Sequence, residues 1–421
     1  MSNDTKTPAS APIPAVDPRL LQREAGLQGY VNEFVRKVRG GDIGSLPVVI
    51  GLIVIWLTFG LSNSQYFAPS TATYIAYWMP GVGLLAVGLV FVLLLGEIDL
   101  SVGSVSGLSA AVYAVLAVTH GLNPWLAVFT TILTGAAIGA LHGWIFAKIG
   151  VPAFIVTLAG FLVWQGVMLW VLGSTGTINL TDVGLNHFLS GNSYVLNGDV
   201  SGGYILAVLA VASMAYGSFG EQARRRKAGV PFKPTSELLI RVGLVAVGAF
   251  VAAYVLNQDR GVPDAQVMFL ALLIICDFVL RRTSFGRKIF AVGGNIEASR
   301  RAGISVAAIR ISVFSISGAF AALGGLTIAA ETGAASQSGS DPNNLMMAIA
   351  AAVIGGTSLF GGRGRVWSAF LGMLVISSIQ YGLNMESLNQ DVEYMIMGVV
   401  LLAAVIVDSL ARRTQKSSGR G

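Results

Sequence analysis

Between Leu46 and Ala411 the chain alternates apolar runs of membrane-spanning length with short polar gaps and with gaps rich in Lys and Arg. A bilayer core about 30 Å thick needs roughly 20 apolar residues per helix, and runs near that length recur along the chain. Candidate spans fall at 46–62, 73–95, 101–119, 125–147, 153–173, 203–218, 238–256, 265–281, 309–330, 345–357, 366–383 and 392–410. That makes about twelve. The expected fold is all-α, a polytopic transmembrane helix bundle occupying residues 46–411. Residues 1–45 are polar and of mixed charge, without the compact basic, apolar and cleavage pattern of a signal peptide, and read as a tail with a candidate surface helix over 20–39. Residues 412–421 read as a second tail.

Lys and Arg favour the cytoplasmic side of short loops, so their placement predicts orientation. Arg36, Lys37 and Arg39 precede the first span and set the N-terminus inside. Counting forward, Lys148, the Arg224 to Lys227 cluster, Arg281 to Arg301, Arg363, Arg365 and Arg412 to Arg420 all fall inside. The opposite loops carry Asp182, Asp199, Asp341, Glu386 and Asp391, with Arg260 as their one basic residue. The net charge of +6 is therefore read as a topogenic signal suited to an anionic inner leaflet, with no nucleic-acid partner implied.

Composition agrees: 54% of residues are hydrophobic and 11% charged, with mean hydropathy +0.71, too little charge to cover a soluble surface. The single cysteine, Cys276, lies in an apolar run and has no internal disulfide partner. A weak internal echo relates the second and third spans to the tenth and eleventh, each pair turning through a Gly-rich stretch, Gly96 to Gly103 and Gly355 to Gly364. A parallel repeat and chance both explain it.

Most of the 52 glycines are expected to serve helix packing, since small residues spaced four apart let backbones approach; Gly103 and Gly107 have that spacing. Glu97 and Asp99 are the acids nearest the middle of a hydrophobic region, where ionisable groups are costly enough to suggest function. The competing reading is that Asp99 or Ser101 caps the next helix. Asp277, Glu331, Glu393 and Asp408 fall at span ends, which disfavours ion coupling. A nucleotide P-loop needs a Gly-Lys pair, and no such dipeptide occurs, so any ATP used is expected to be hydrolysed by another polypeptide. His120, His142 and His187 are scattered without a nearby Cys or acid cluster, so neither a metal site nor a cofactor is expected. No Ser, His and acid grouping suggests an enzyme.

The most specific segment runs from Ser284 to Ile304. Asn295 suits an N-cap, Glu297 puts negative charge in the first turn, Arg300 and Arg301 put positive charge in the last, and Gly303 suits the left-handed position after the helix. So short a helix is unstable alone and must dock, either on this chain's own helix ends or on a cytoplasmic partner.

Glu297-Ala298-Ser299 followed by Gly303 resembles the Glu-Ala-Ala and Gly pattern of ABC-importer permeases, with Ser in place of the second Ala. Together with Glu97-Ile98-Asp99-Leu100-Ser101-Val102-Gly103 and Val353-Ile354-Gly355-Gly356-Thr357-Ser358-Leu359, the string Phe285 to Ile304 is similar to the ribose/xylose-type permeases of bacterial monosaccharide importers, over most of residues 46–411. The additional hairpin near 203–256, with Asn257 to Pro263, resembles the xylose-type branch. The resemblance implies an ABC-importer permease fold in the bacterial inner membrane. It also implies a homodimeric permease, an ABC ATPase subunit docked in the cytoplasm and a periplasmic sugar-binding protein that delivers xylose or a related monosaccharide. On this reading 284–308 is the coupling segment, with Asn295, Glu297, Ala298, Ser299, Arg300, Arg301 and Gly303 receiving the ATPase's motion, and Glu97, Asp99, Ser101 and Gly103 form a helix-break motif of the translocation domain.

Candidate pathway residues are Gln165, Gln380 and Asn384, whose amides also suit ordinary interhelical hydrogen bonding. An ion-coupled secondary transporter of a small polar solute is the alternative, and it predicts coupling acids within the spans.

Overall fold

The computed structural model describes residues 46–180, 185–189, 200–230, 232 and 234–417. The expected tail 1–45 with its candidate helix, the loop acids Asp182 and Asp199, and the last residues of the second tail lie outside the described residues. Every candidate span coincides with a helix. In chain order these are α1 (Leu46–Ser62), α2 (Pro69–Leu94), α3 (Val102–Ala114), α4 (Pro124–Trp144), α5 (Ala153–Leu172), α6 (Val200–Lys227) and α7 (Thr235–Asn257). There follow α8 (Asp264–Arg282), α9 (Ser284–Gly294), α10 (Ile296–Arg301), α11 (Val306–Thr332), α12 (Pro342–Ile354), α13 (Trp367–Met385) and α14 (Gln390–Ser417). Pro at the first turn starts α2, α4 and α12, and the side chains of Asn123 and Asp341 accept backbone N–H groups that the last two leave free.

Among the described residues, seven helices are long and apolar enough to cross a membrane: α2, α3, α4, α5, α6, α7 and α11, with α3 and α4 lengthened by wider-wound last turns to Thr119 and Ile149. The 13 residues of α12 reach only about 20 Å, short of a bilayer core.

The chain divides into two compact units. In the smaller, whose described part is 206–230, 232 and 234–250, α6 and α7 run as a hairpin and meet near its tip, where Gln222 Nε2 donates to Thr235 Oγ1 at 3.1 Å. Its tip carries Arg224, Arg225, Arg226 and Lys227, and its flanks expose Leu209, Tyr216, Leu244 and Val247.

The larger unit is built around α2 and α11. From Met79 to Leu94 every residue of α2 is buried, as expected for a helix that is apolar all round. Helix α11 lies against α4, α2 and α3 with its backbone almost touching theirs. A Cβ on Gly139 would overlap the carbonyl oxygen of Phe314, one on Gly143 would come within 2.8 Å of the Ile311 Cα, and one on Gly135 would strike the carbonyl of Gly318. These three glycines, spaced four apart, make one stripe of α4 that fits α11. On α3 the contacts are looser: a Cβ on Gly103 would come within 3.1 Å of the Leu345 Cβ, and one on Gly339 would lie 3.5 Å from the Gly107 Cα. On the outside Phe129, Leu133, Leu162 and Phe278 are exposed, an apolar skin suited to lipid. Where α5 and α11 end, β1 (Thr177–Asn179) pairs antiparallel with β2 (Ala334–Ser336), with Ile178 opposite Ala335.

Candidate functional site

The segment after α8 folds into two helices, one more than the sequence suggests. Thr283 ends α8 and caps α9, its hydroxyl accepting from Gly286 N at 3.2 Å. Asn295 then caps α10, its Oδ1 accepting from Ala298 N at 2.9 Å. At the other end Gly303 has φ +76, Gly303 N donates to the Arg300 carbonyl and Ile304 N to the Ser299 carbonyl, both at 3.0 Å. That is the two-bond stop in which a left-handed residue after the helix satisfies its last carbonyls, and glycine takes that backbone conformation without strain. Ser299 is buried and Ile296 and Ile304 pack on the core, whereas Glu297, Ala298, Arg300, Arg301 and Gly303 are exposed. Glu297 Oε1 meets Arg300 Nη1 at 3.1 Å on that open face.

The three stretches singled out in the sequence meet beneath α9. A Cβ on Gly293 would overlap the Leu94 carbonyl at the end of α2 and lie 2.9 Å from Gly362 N, which itself donates to the Leu94 carbonyl at 2.9 Å. A Cβ on Gly361 would sit 2.8 Å from Gly96 N and 2.9 Å from the Gly293 carbonyl. Gly96, at φ +79, turns the chain out of α2. The turn between α2 and α3, the end of α9 and the turn between α12 and α13 are thus in backbone contact. In the same region Glu97 pairs with Arg310 of α11 at 3.6 Å, and the Arg310 guanidinium lies 4.1 Å over the Phe146 ring.

Asp99 is 1% exposed and belongs to a wider set of bonds than capping. Its Oδ1 accepts from Ser101 N at 3.0 Å and from Ser101 Oγ at 2.6 Å, and its Oδ2 accepts from Ser317 Oγ of α11 at 2.9 Å. Ser101 therefore does not cap α3 with its side chain; Asp99 takes its N–H instead. Ser101 Oγ also lies 3.2 Å from His142 Nδ1, and His142 Nε2 accepts from the Trp164 indole at 2.9 Å. An indole only donates, so Nε2 is the acceptor and Nδ1 carries the proton toward Ser101, whose hydroxyl in turn donates to Asp99. His142, 3% exposed, is joined to the single acid Asp99 through Ser101. In the sequence Trp164 and Ser317 do not stand out and His142 is only one of three scattered histidines, since all three residues lie far from Asp99 along the chain. One signal was available: His142 is adjacent to Gly143 and three residues after Gly139, so it sits beside a helix contact stripe. Among the described residues no group of three potential metal ligands occurs.

About 20 Å along α11 from Ser317, toward the end of the helix, lies a cavity of about 520 Å³ walled by α2, α11, α12, α13 and the 334–341 segment. Gln380 and Asn384 line it, with Tyr74, Trp78, Glu331 and Asn344. Gln380 Nε2 also donates to Glu393 at 2.8 Å. Gln165, half-exposed on α5, is not part of this lining.

A family model described as branched-chain amino acid transport system / permease component matches residues 71–405. The xylose transport system permease protein of Escherichia coli K12 is 36% identical over 366 residues, 87% of this chain and 90% of that protein. The xylose permease of Haemophilus influenzae is 32% identical over 89% of this chain and 98% of that protein, and the ribose import permease of Bacillus subtilis 28% identical over 87% and 94%. No solved structure matches. With a family model covering most of its length and xylose permeases above 30% identity, the chain belongs to this family of membrane permease components, in its ribose/xylose-type group.

Proposed function

We propose that the chain is the membrane subunit of an ATP-driven importer of a neutral monosaccharide, xylose or a close relative, and that α10 receives the motion of a separate ATPase. The observation that carries this reading is the seating of α10. Its outer face is polar and exposed, and the α9 helix before it rests by backbone contact on the turns that end α2 and begin α13. A partner that displaces α10 then moves those helix ends, because packed backbones have no soft side chain between them to absorb the shift.

The same reading gives the chain two further partners, a second copy of itself and a sugar-binding protein on the face opposite α10, as the resemblance to monosaccharide-importer permeases implies. In this orientation α10 is cytoplasmic, and so are both termini. ATP binding on one face and the loaded binding protein on the other each shift the balance between inward- and outward-facing states only by binding them differently.

The chain purified with a tag from its native membranes should retain an ATPase subunit in equal amount. Glu297→Lys or Gly303→Pro should remove that subunit and abolish sugar uptake, with the amount of chain in the membrane unchanged. Uptake that persists with either substitution would show that α10 is not the coupling helix.

A further inference from the structure

The α6 and α7 hairpin takes no part in the reading above, yet its tip carries the longest run of cations in the chain, Arg224, Arg225, Arg226 and Lys227. We propose that this tip is a binding site for anionic phospholipid, its cations holding phosphodiester headgroups of net negative charge while Val230 and Phe232 enter the bilayer interface beside them. A topogenic signal acts once, as the chain inserts, whereas this site persists in the folded protein. It needs neither an ATPase nor a sugar, and so stands apart from the importer reading.

Three observations carry it. First, the cations are exposed and short of counter-charge. Glu221 meets Arg225 Nε at 3.0 Å and the Gly220 carbonyl accepts from Arg224 Nε at 3.3 Å, but among the described residues Arg226 and Lys227 meet no acid. The C-terminal end of α6 offers the whole run only about half a negative charge. Most of the balancing charge has to come from outside the chain.

Second, their arrangement suits a surrounding layer better than a single docking surface. Consecutive helix residues are turned by about 100°, so four of them point around the whole axis. A protein approaching from one side would reach one or two, whereas headgroups around a membrane-crossing helix reach all four. The tip is also fixed in shape: Gly229 has φ +66, and Gly229 N and Val230 N donate to the carbonyls of Arg226 and Arg225 at 3.2 and 3.1 Å, which closes α6 directly after Lys227.

Third, apolar and aromatic groups mark the lipid interface at this same end. Val230 and Phe232, 39% and 47% exposed, follow the cations, and exposed apolar groups beside clustered cations are the pattern of a segment at a membrane surface. The contact of Gln222 with Thr235 sets the two helices in register, so Tyr216 and Arg241, each six residues further along its helix, lie about 9 Å below it at one level. Both are exposed. A Tyr, and an Arg whose stem can carry its head upward, settle at the boundary between hydrocarbon and headgroups. Beyond that level, 201–215 and 242–257 contain no charged residue, which leaves the tip as the part that meets headgroups.

The test places the full-length chain in nanodiscs of equimolar phosphatidylcholine and phosphatidylglycerol, doped with a photoactivatable analogue of one lipid or the other, and maps the cross-links along the chain. At the tip the phosphatidylglycerol probe should exceed the phosphatidylcholine probe about fivefold, the worth of one cation near an anionic surface, and the excess should shrink as salt is raised. Arg224→Gln, Arg226→Gln and Lys227→Gln together should make the two yields equal, whereas Arg224→Lys with Arg226→Lys should retain the excess. The inference is overturned by equal yields in the wild type, by an excess that salt leaves unchanged, or by an excess that survives the three Gln substitutions. Those substitutions also remove topogenic charge, so an impermeant thiol reagent on Val230→Cys checks which side the tip faces. If the tip has inverted, the wild-type ratio and its salt dependence decide. A tip that neither probe labels, and that trypsin cuts only after a co-purified protein is stripped away, belongs to a protein partner and equally overturns the inference. A chain that shows the lipid excess but retains no ATPase would instead refute the importer reading and leave this site standing.

Discussion

Helix α11 has two different polar surroundings along its length. From Ile311 to Gly318 the glycines of α4 bring backbones together, and Ser317, near the helix middle, completes a buried set of bonds with Asp99, Ser101, His142 and Trp164 in which every polar group faces a partner. Near its finish, Glu331 keeps an unpartnered oxygen beside a cavity large enough for a ligand. The first set is complete in itself, and the second leaves one carboxylate oxygen unpaired. The contrast assigns rigidity to the backbone-packed stretch, where no soft side chain lies between the helices to absorb a shift.

The largest effect should come from spoiling the backbone-packed stretch. Gly139→Leu places a side chain where the Phe314 carbonyl now lies, and the two helices must separate along their length. Overpacking of this kind is expected to cost more than about 3 kcal/mol, because backbone rather than a flexible side chain is in the way. The measurement is the yield of monodisperse chain after extraction, followed by its thermal midpoint. Near wild-type yield and midpoint would mean that α4 and α11 are not tightly joined, and the contrast would fail.

A middle effect separates the bonds of the network from its charge. Asp99→Leu leaves Ser101 N, Ser101 Oγ and Ser317 Oγ without their shared acceptor, a loss expected at about 2–4 kcal/mol when three buried donors are affected together. Asp99→Asn keeps one oxygen for both Ser101 donors and offers an amide to Ser317, whose hydroxyl can turn to accept it, so about 1 kcal/mol is expected. Thermal unfolding in a fixed detergent distinguishes them. Equal losses would show that the negative charge, not the bonding geometry, is what the site requires.

Helix positions were legible in the sequence because a bilayer imposes length and apolarity directly on each run, and every candidate span is a helix. The caps of α10 were legible because Asn295 and Gly303 act within their own turn. The stripe Gly135, Gly139, Gly143 and the cluster around Asp99 were not singled out, for a common reason. Their meaning depends on which helix faces which: His142 and Ser317 lie 41 and 218 positions from the residues they bond, and nothing in a single sequence marks such partners. Gln380 and Asn384 line the cavity and Gln165 does not, a distinction fixed by helix rotation, which composition leaves open. Glu331 was read as one of several span-end acids because its environment comes from α2, far away along the chain.

The smallest effect tests whether the network is a chain or a collection of pairs. Trp164→Phe keeps an aromatic ring beside the imidazole and removes only the indole donor to His142 Nε2, at the outer edge of the set. If each bond stands alone, the loss is about 0.5–1 kcal/mol, the scale of interhelical hydrogen bonds in membranes. The tautomer carries more information than the stability. With Trp164 present, Nε2 is bound as an acceptor and Nδ1 must donate to Ser101; without it, the proton is free to move to Nε2, and Ser101 Oγ can then donate to Nδ1 rather than to Asp99 Oδ1. Nitrogen NMR of selectively labelled His142 should therefore show one tautomer in the wild type and a mixture in the variant. A variant with a single unchanged tautomer would mean that Asp99 and Ser101 orient the ring unaided, and that the rigid stretch of α11 is determined from the α2–α3 turn rather than from α5.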